Sequence, residues 1–394
     1  MSVNLDHILR CHGLLKADFV RGEGSYLYDR SGERFIDFEA GIWCAALGHG
    51  HPAILRAIQH QSSELMHLGV AFTSEHAECA AKAVLATIQA DLEKVVFLSS
   101  GSEAAEFGAQ TIRRVTGKQK LLTFGPTYLG AYGSVGHTST SDWHVIHWEP
   151  CDDCTDVCSL DCELLKNISF ESIGGLVLEP GNSHGSVRFP PNVLVRLLAQ
   201  QVKDSAGLLM ANEVTTGFGR TGCWHGHHYY SIEPDVVSFG KGLGNGYPVS
   251  AVAMTASVAT ALWDSGFRYA QSHQNDPLGC AVAQAVVEVL RSESLIERSE
   301  KVGNFFLQRL RKLDERHECF RAIRGRGLMI AIELEDESTN DRAVRVQEDL
   351  LQNGFLVGVT PALNLLRFYP PLTIKKRDIE ALLTALENAL AQIP

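Results

Sequence analysis

The sequence predicts an α/β fold: a large domain built on a mainly parallel sheet, followed by a smaller α+β domain. Three observations carry that expectation. Short, nearly continuous apolar runs recur as far as about residue 285, as strands covered on both faces require. Segments of helical period lie between them, among them HAECAAKAVLATI, EAAEFGAQTIRRV and NVLVRLLAQQVK. From about residue 290 this alternation gives way to a long charged helical stretch, SLIERSEKVGNFFLQRLRKLDE.

Taken in order, GSYLYDRSGERFIDF reads as a hairpin, Tyr26–Tyr28 and Arg34–Phe38 around a Ser-Gly turn. The strands expected next are VVFLS (95–99), KLLTF (120–124), GGLVLEP (174–180), GLLMANEV (207–214), DVVSF (235–239) and SAVAMT (250–255). After the charged helix come RGLMIAIELE, another helix, LLRFYPPL and a terminal helix. The chain therefore divides into an N-terminal segment (1–50) packing with the small domain, a large domain (51–288) and a small C-terminal domain (289–394).

Composition narrows the function. The 394 residues are 45% hydrophobic and 21% charged, with 46 acidic against 35 basic side chains and a formal net charge of −11. No basic block is present, which argues against a nucleic-acid or anionic-membrane surface and for small-molecule partners. The N-terminus lacks the apolar core of a signal peptide, and no apolar run is long enough to span a bilayer. A cytoplasmic protein is expected. Six of the ten cysteines are scattered, as reduced thiols are. Cys151, Cys154, Cys158 and Cys162 crowd into CDDCTDVCSLDC, which fits either a metal or redox site or a solvated loop. The His225–His228 stretch, HGHH, reads the same two ways.

In an α/β sheet, ligands gather beyond the carboxyl ends of the strands. One such end, GLLMANEVTTGFGRTG, carries G-x-G-x-x-G at Gly217, Gly219 and Gly222. A dinucleotide turn needs a helix opening at the third glycine. CWHGHHYYSIEPD follows instead, with no helical stripe. In SSGSEAAEF, Ser100 and Glu103 form a capping box, and the first turn of that helix, with Gly101 and Ser102, offers free N–H groups to an anion. Lys241, in SFGKGLGNGYP, follows a buried strand. Burial depresses a lysine pKa and leaves an amine suited to Schiff-base chemistry; the alternative is a solvated loop lysine, the commoner fate of a single lysine.

These segments resemble, in order and over almost the whole chain, the class III aminotransferases, a family of pyridoxal-phosphate (PLP) enzymes of fold type I. The likeness runs from GSYLYDRSGERFIDFEAGIWCAALGHGHPAILRAI through SSGSEAAE, LEP, NEVTTGFGRTG, PDVVSFGKGLGNGYPVSAV and NDPLGCAVA to LRFYPPL. It implies that Lys241 carries the cofactor and shuttles the substrate proton, with Gly101 and Ser102 gripping its phosphate. Tyr128 and Val214 would cover the two ring faces, Asn212 would sit at the ring nitrogen, and Thr215 would reach the phenolic oxygen. Ser272 would reach the neighbouring subunit's phosphate, so a homodimer with shared sites is implied. Arg367 resembles the arginine that forks onto a substrate carboxylate, and Trp43 would help wall the substrate pocket.

Three positions depart from the family pattern. The carboxylate expected at the ring nitrogen is Asn212, which cannot balance a pyridinium charge. The Gln-Gly-Glu expected after Glu179-Pro180 is Asn182-Ser183-His184, so the acid that masks the substrate arginine is missing. The histidine expected after the stacking aromatic is Leu129. The leading expectation is a PLP-dependent aminotransferase moving an amino group from a carboxylate-bearing donor to a 2-oxo acid. Its rivals are a PLP-dependent epimerase, racemase or decarboxylase, and a catalytically degenerate binding subunit of the same fold.

Overall fold

The computed structural model describes all residues except 1–6, 10, 14, 16, 152–153, 155–157, 183–184, 336–340 and 394. Its N-terminal strands are β1 (Phe19–Glu23), β2 (Tyr26–Asp29) and β3 (Arg34–Asp37). The expected hairpin is present, with β2 and β3 antiparallel.

The centre is a seven-stranded sheet of β4 (Lys94–Leu98), β5 (Lys120–Gly125), β6 (Trp143–His147), β7 (Ile173–Leu178), β8 (Leu208–Asn212), β9 (Val236–Phe239) and β10 (Ser250–Met254). Its order is β4-β10-β9-β8-β7-β5-β6. All six apolar runs named above form strands. Strand β6 was not anticipated, because WHVIH breaks the apolar run with two histidines. Strand β10 alone runs against its neighbours. Its connection from β9, residues 240–249, is shorter than the dozen or so residues that a parallel crossover needs.

Helices α1 (Pro52–Glu64), α2 (Glu75–Leu85), α3 (Gly101–Thr116), α4 (Asn192–Asp204), α5 (Ala256–Asp264) and α6 (Pro277–Ser292) belong to this region. Helix α3 is amphipathic, and its face of Ala104, Ala105, Ala109 and Ile112 is fully buried. The small residues there let it lie close to the sheet, where a Cβ on Gly108 would come within 2.6 Å of Met210. The helix ends at Gly117 in the left-handed conformation, φ 69°.

Helix α7 (Leu295–His317) leads to β11 (Phe320–Arg326), β12 (Met329–Leu334), α8 (Arg342–Gln352), β13 (Phe355–Leu356), β14 (Gly358–Thr360), β15 (Leu365–Phe368) and α9 (Lys376–Gln392). Strands β11, β12, β15 and β14 form an antiparallel sheet. Strand β13 instead pairs in parallel with β3, joining the N-terminal strands to the C-terminal part. Two bonds tighten that union: Tyr369 N donates to Phe38 O at 2.7 Å, and Leu372 N to Ala46 O at 2.7 Å. Residues 38–46 are thereby pressed against β15, beside the carboxyl ends of the central sheet.

Candidate active site

Strand β9 ends at Phe239 and the chain turns sharply to present Lys241, whose φ of 43° lies in the left-handed region. A non-glycine residue there is strained, and such strain persists where the surroundings fix it. The Nζ donates to Thr215 Oγ1 at 2.6 Å and lies 4.4 Å from the centre of the Trp43 ring. Burial lowers the amine to about 8, against the opposing field of Glu179. A cavity of about 290 Å³ beside it is lined by Cys44, Ser100, Gly101, Tyr247 and Pro248.

The start of α3 faces that cavity. Ser100 Oγ accepts from Glu103 N at 3.2 Å, as the capping box predicts, but Glu103 Oε2 reaches one residue further back, to Ser99 N at 2.9 Å. Gly101 must be glycine here, since a Cβ would lie 2.5 Å from Val214 Cγ1. Gly240 also lies close, its would-be Cβ 3.1 Å from Gly101 Cα. Ser102 Oγ accepts from Ala131 N at 2.9 Å, which ties the helix start to the loop after β5. Tyr128, in that loop, is partly exposed, and its backbone N donates to Glu179 Oε2 at 3.2 Å.

Asn212 is buried at the end of β8, opposite Ser238 on β9. Its Oδ1 accepts from Ser238 Oγ at 3.2 Å and from Val214 N at 3.3 Å, while Nδ2 donates to Leu129 O at 3.3 Å. Just past Asn212, Val214 packs against Gly101 and Thr215 is the partner of the Lys241 amine.

Arg367 lies on β15, its side chain almost buried and its Cζ 5.2 Å from the centre of the Trp43 ring. Trp43 packs on Tyr369 with ring centres 4.9 Å apart. Glu39 Oε2 stands 3.9 Å from Arg367 Nη2. Burial pushes the Glu39 carboxyl up to about 7, against the pull of Arg367. Glu39 carried no sequence signal beyond following a buried strand. Glu179 was legible only as the end of one.

Other expectations fare differently. The Gly217–Gly222 loop is followed by a 3-10 turn, Gly226–Tyr230, and no helix opens at Gly222, which removes the dinucleotide reading. Within HGHH, His227 serves Glu213: Glu213 accepts from His227 N at 2.7 Å, His227 Nδ1 at 2.8 Å, Gly226 N at 2.9 Å and Thr216 Oγ1 at 2.5 Å. Among the described residues the four clustered cysteines do not gather as metal ligands; only His67, His273 and Asp276 do, and both imidazoles are hydrogen-bonded to Asp276. Ser272 is exposed in the turn before α6. Ser183 and His184 lie outside the described residues.

A lysine amine at a helix N-terminus and the carboxyl ends of a mainly parallel sheet define a PLP enzyme of fold type I. The chain matches Aminotransferase class-III over residues 10–390 and belongs to that family. It is 32% identical to the acetylornithine aminotransferase of Methanothermobacter thermautotrophicus, with 94% of this chain and 93% of that protein covered. It is also 29% identical to the leucine/methionine racemase of Thermococcus litoralis, over 95% of this chain and 90% of that protein. An amine transaminase from an uncultivated Pseudomonas species, solved in its PLP-bound form, superposes with a TM-score of 0.89 at 25% identity, covering 99% of both chains. The chain is thus a PLP-dependent aminotransferase, acting on an amino donor and a 2-oxo acid. Its own residues fit the cofactor: a buried amine of lowered pKa, beside a cavity that Ser100 and Gly101 line at the start of α3. Among the described residues no helix is long and apolar enough to cross a membrane.

Proposed function

We propose that this aminotransferase takes a donor bearing a carboxylate and divides its site into a cofactor end and a substrate end bridged by Trp43. The observation that carries the reading is the position of that one ring, 4.4 Å from Lys241 Nζ and 5.2 Å from Arg367 Cζ.

Gly101 and Ser102 would hold the PLP phosphate with helix N–H groups. Val214 and Tyr128 would cover the ring, Asn212 would meet its nitrogen and Thr215 its phenolic oxygen. Bound PLP supplies the electron sink for charge released at the donor's Cα. Lys241 would carry the cofactor and move the proton at Cα, a task that suits an amine lowered to about 8. Thr215 holds that amine by the 2.6 Å bond until it is needed. Arg367 binds the donor's carboxylate through its planar fork, and Trp43 keeps water from the space between. Ser272, exposed on this chain, completes the phosphate site of a second subunit, making the protein a homodimer with shared sites.

The test incubates purified protein with acetylornithine and other amino donors and 2-oxoglutarate, with products followed by mass and chirality. Transfer to give a new amino acid from carboxylate-bearing donors is expected. Equal use of simple alkyl amines would overturn the donor assignment. A second reading is favoured by the amide at Asn212 and by the racemase relative: inversion at Cα with no transfer, which the chirality readout detects.

A further inference from the structure

We infer that His67, His273 and Asp276 form a binding site for a divalent cation of the zinc class, one that joins the loop after α1 to the start of α6. The inference is independent of the reaction and of how the amino donor is held.

The three side chains come from separate stretches, and the backbone brings them together. His67 lies in the loop 65–74 between α1 and α2, His273 in the turn that also carries Ser272, and Asp276 immediately before α6. Asn275, left-handed at a φ of 56°, is bound to β4. Its N donates to Phe97 O at 3.0 Å and its Oδ1 accepts from Phe97 N at 2.8 Å. Asp276 is thereby anchored to the central sheet. His273 N donates to Gln271 Oε1 at 2.7 Å, which closes the turn that holds it.

An aspartate just before a helix that opens with proline ordinarily caps that helix with its side chain. Asp276 makes no such bond. Both of its oxygens face imidazoles instead. His67 Nδ1 is 2.7 Å from Oδ1, and His273 Nδ1 is 2.5 Å from Oδ2. The two rings stand 4.9 Å apart, and the three ligand atoms all lie within 4.8 Å of one another. Exposed pairs of this kind return little net stability, because ordering the side chains offsets their attraction. Hydrogen bonding alone therefore gives small reason for two rings to converge on one acid.

Two imidazoles and a carboxylate are donors that a zinc-class ion takes. Set about 2.0–2.1 Å from each donor in a tetrahedron, the ion needs the donors roughly 3.3 Å apart. Each N–O pair must open slightly and the two nitrogens must draw together. The rings have the freedom for this, being 48% and 64% exposed, while Asp276, at 12%, stays as the fixed point. On binding, each imidazole turns its Nδ1 lone pair to the ion and carries its proton on Nε2. A cavity of about 230 Å³ bordered by His273, Asp276, Tyr247 and Pro248 leaves room for water to complete the coordination.

The experiment uses the holoenzyme, freed of metals by dialysis against a chelator. It is titrated with Zn²⁺ by calorimetry and with Co²⁺ by absorption. One ion per chain is expected, with a visible cobalt band and without the intense near-ultraviolet band of thiolate ligation. His67→Ala, His273→Ala and Asp276→Asn should each weaken binding roughly tenfold or more. Asparagine is itself a good N-cap, so the last variant keeps the helix start and decides alone should a histidine variant not fold. A thiolate band would assign the ion to cysteines and overturn the proposal. Variants that bind like the wild type, or a wild type that binds no ion, would overturn it too.

Discussion

The hydroxyl of Ser238 donates to Asn212 Oδ1 at 3.2 Å across adjacent strands of the central sheet. Val214 N, an obligate donor, binds the same oxygen at 3.3 Å, so the amide can face only one way. With Nδ2 also committed to Leu129 O, the valence left over is a single N–H. Were the pyridine nitrogen of PLP to lie here, a protonated one would have nothing to donate to and an unprotonated one would find a donor.

Asn212→Asp is therefore expected to speed the first half-reaction, by about tenfold for each 1.4 kcal/mol of added stabilisation. Stopped-flow loss of cofactor absorbance measures it, and the ¹⁵N shift of labelled cofactor reports the ring protonation directly. An unchanged rate and an unchanged shift would remove Asn212 from the ring nitrogen.

Lys241 is expected to be the labelled residue after borohydride reduction and peptide mapping. Its amine, lowered to about 8 by burial, has a neutral fraction that grows as pH rises to that value. Cofactor capture by the apoenzyme should quicken roughly tenfold per pH unit below it and level off above. A rate still climbing towards pH 10 would mean an ordinary, solvated lysine.

Arg367→Ala removes a charge-assisted contact worth about 1.5–3 kcal/mol, so carboxylate-bearing donors should bind roughly ten- to a hundredfold more weakly. KM for simple amines should stay within a few-fold. Steady-state kinetics on paired donors with and without the carboxylate make the comparison.

Glu213, buried next to Asn212, binds Thr216, Gly226 and His227. Burial alone would raise its pKa, but the hydrogen bonds and charge of His227 and the Thr216 hydroxyl bring it down to about 2. Below its ordinary value of 4.5 the unfolded chain then binds more protons than the native one, so stability falls as pH drops from 4.5 towards 2. Glu213→Gln turns one acceptor into a donor facing N–H groups and should cost about 3 kcal/mol. Urea unfolding at neutral pH reads that loss, and the variant should lose part of the acid sensitivity.

Gly101→Ala places a methyl group 2.5 Å from Val214 Cγ1. The expected result is weaker cofactor retention, seen as a lower yield of bound PLP after dialysis. Full retention in the variant would show that Val214 yields to the methyl group.

Much of this protein was legible in its sequence because the signals are local. The apolar runs that became β4, β5, β7, β8, β9 and β10, the Ser100 cap and the buried position of Lys241 each depend on neighbours in the chain. So did the failure of the Gly217–Gly222 loop as a dinucleotide site, since no helix could open at Gly222. What tertiary structure alone decided came from contacts across long separations. The direction of β10 depended on which strands it met, and β13 had too few residues to announce itself before β3 gave it a partner. Glu39 sits far from Arg367 in sequence and would pass for a solvated acid. It faces the guanidinium because a left-handed turn, the bare Gly358 and the bond from Tyr369 N to Phe38 O leave it no other room. Residue type and local period determine elements. Which charges share a buried site is settled only when the elements pack, since Coulomb interactions and desolvation depend on distance in space and not along the chain.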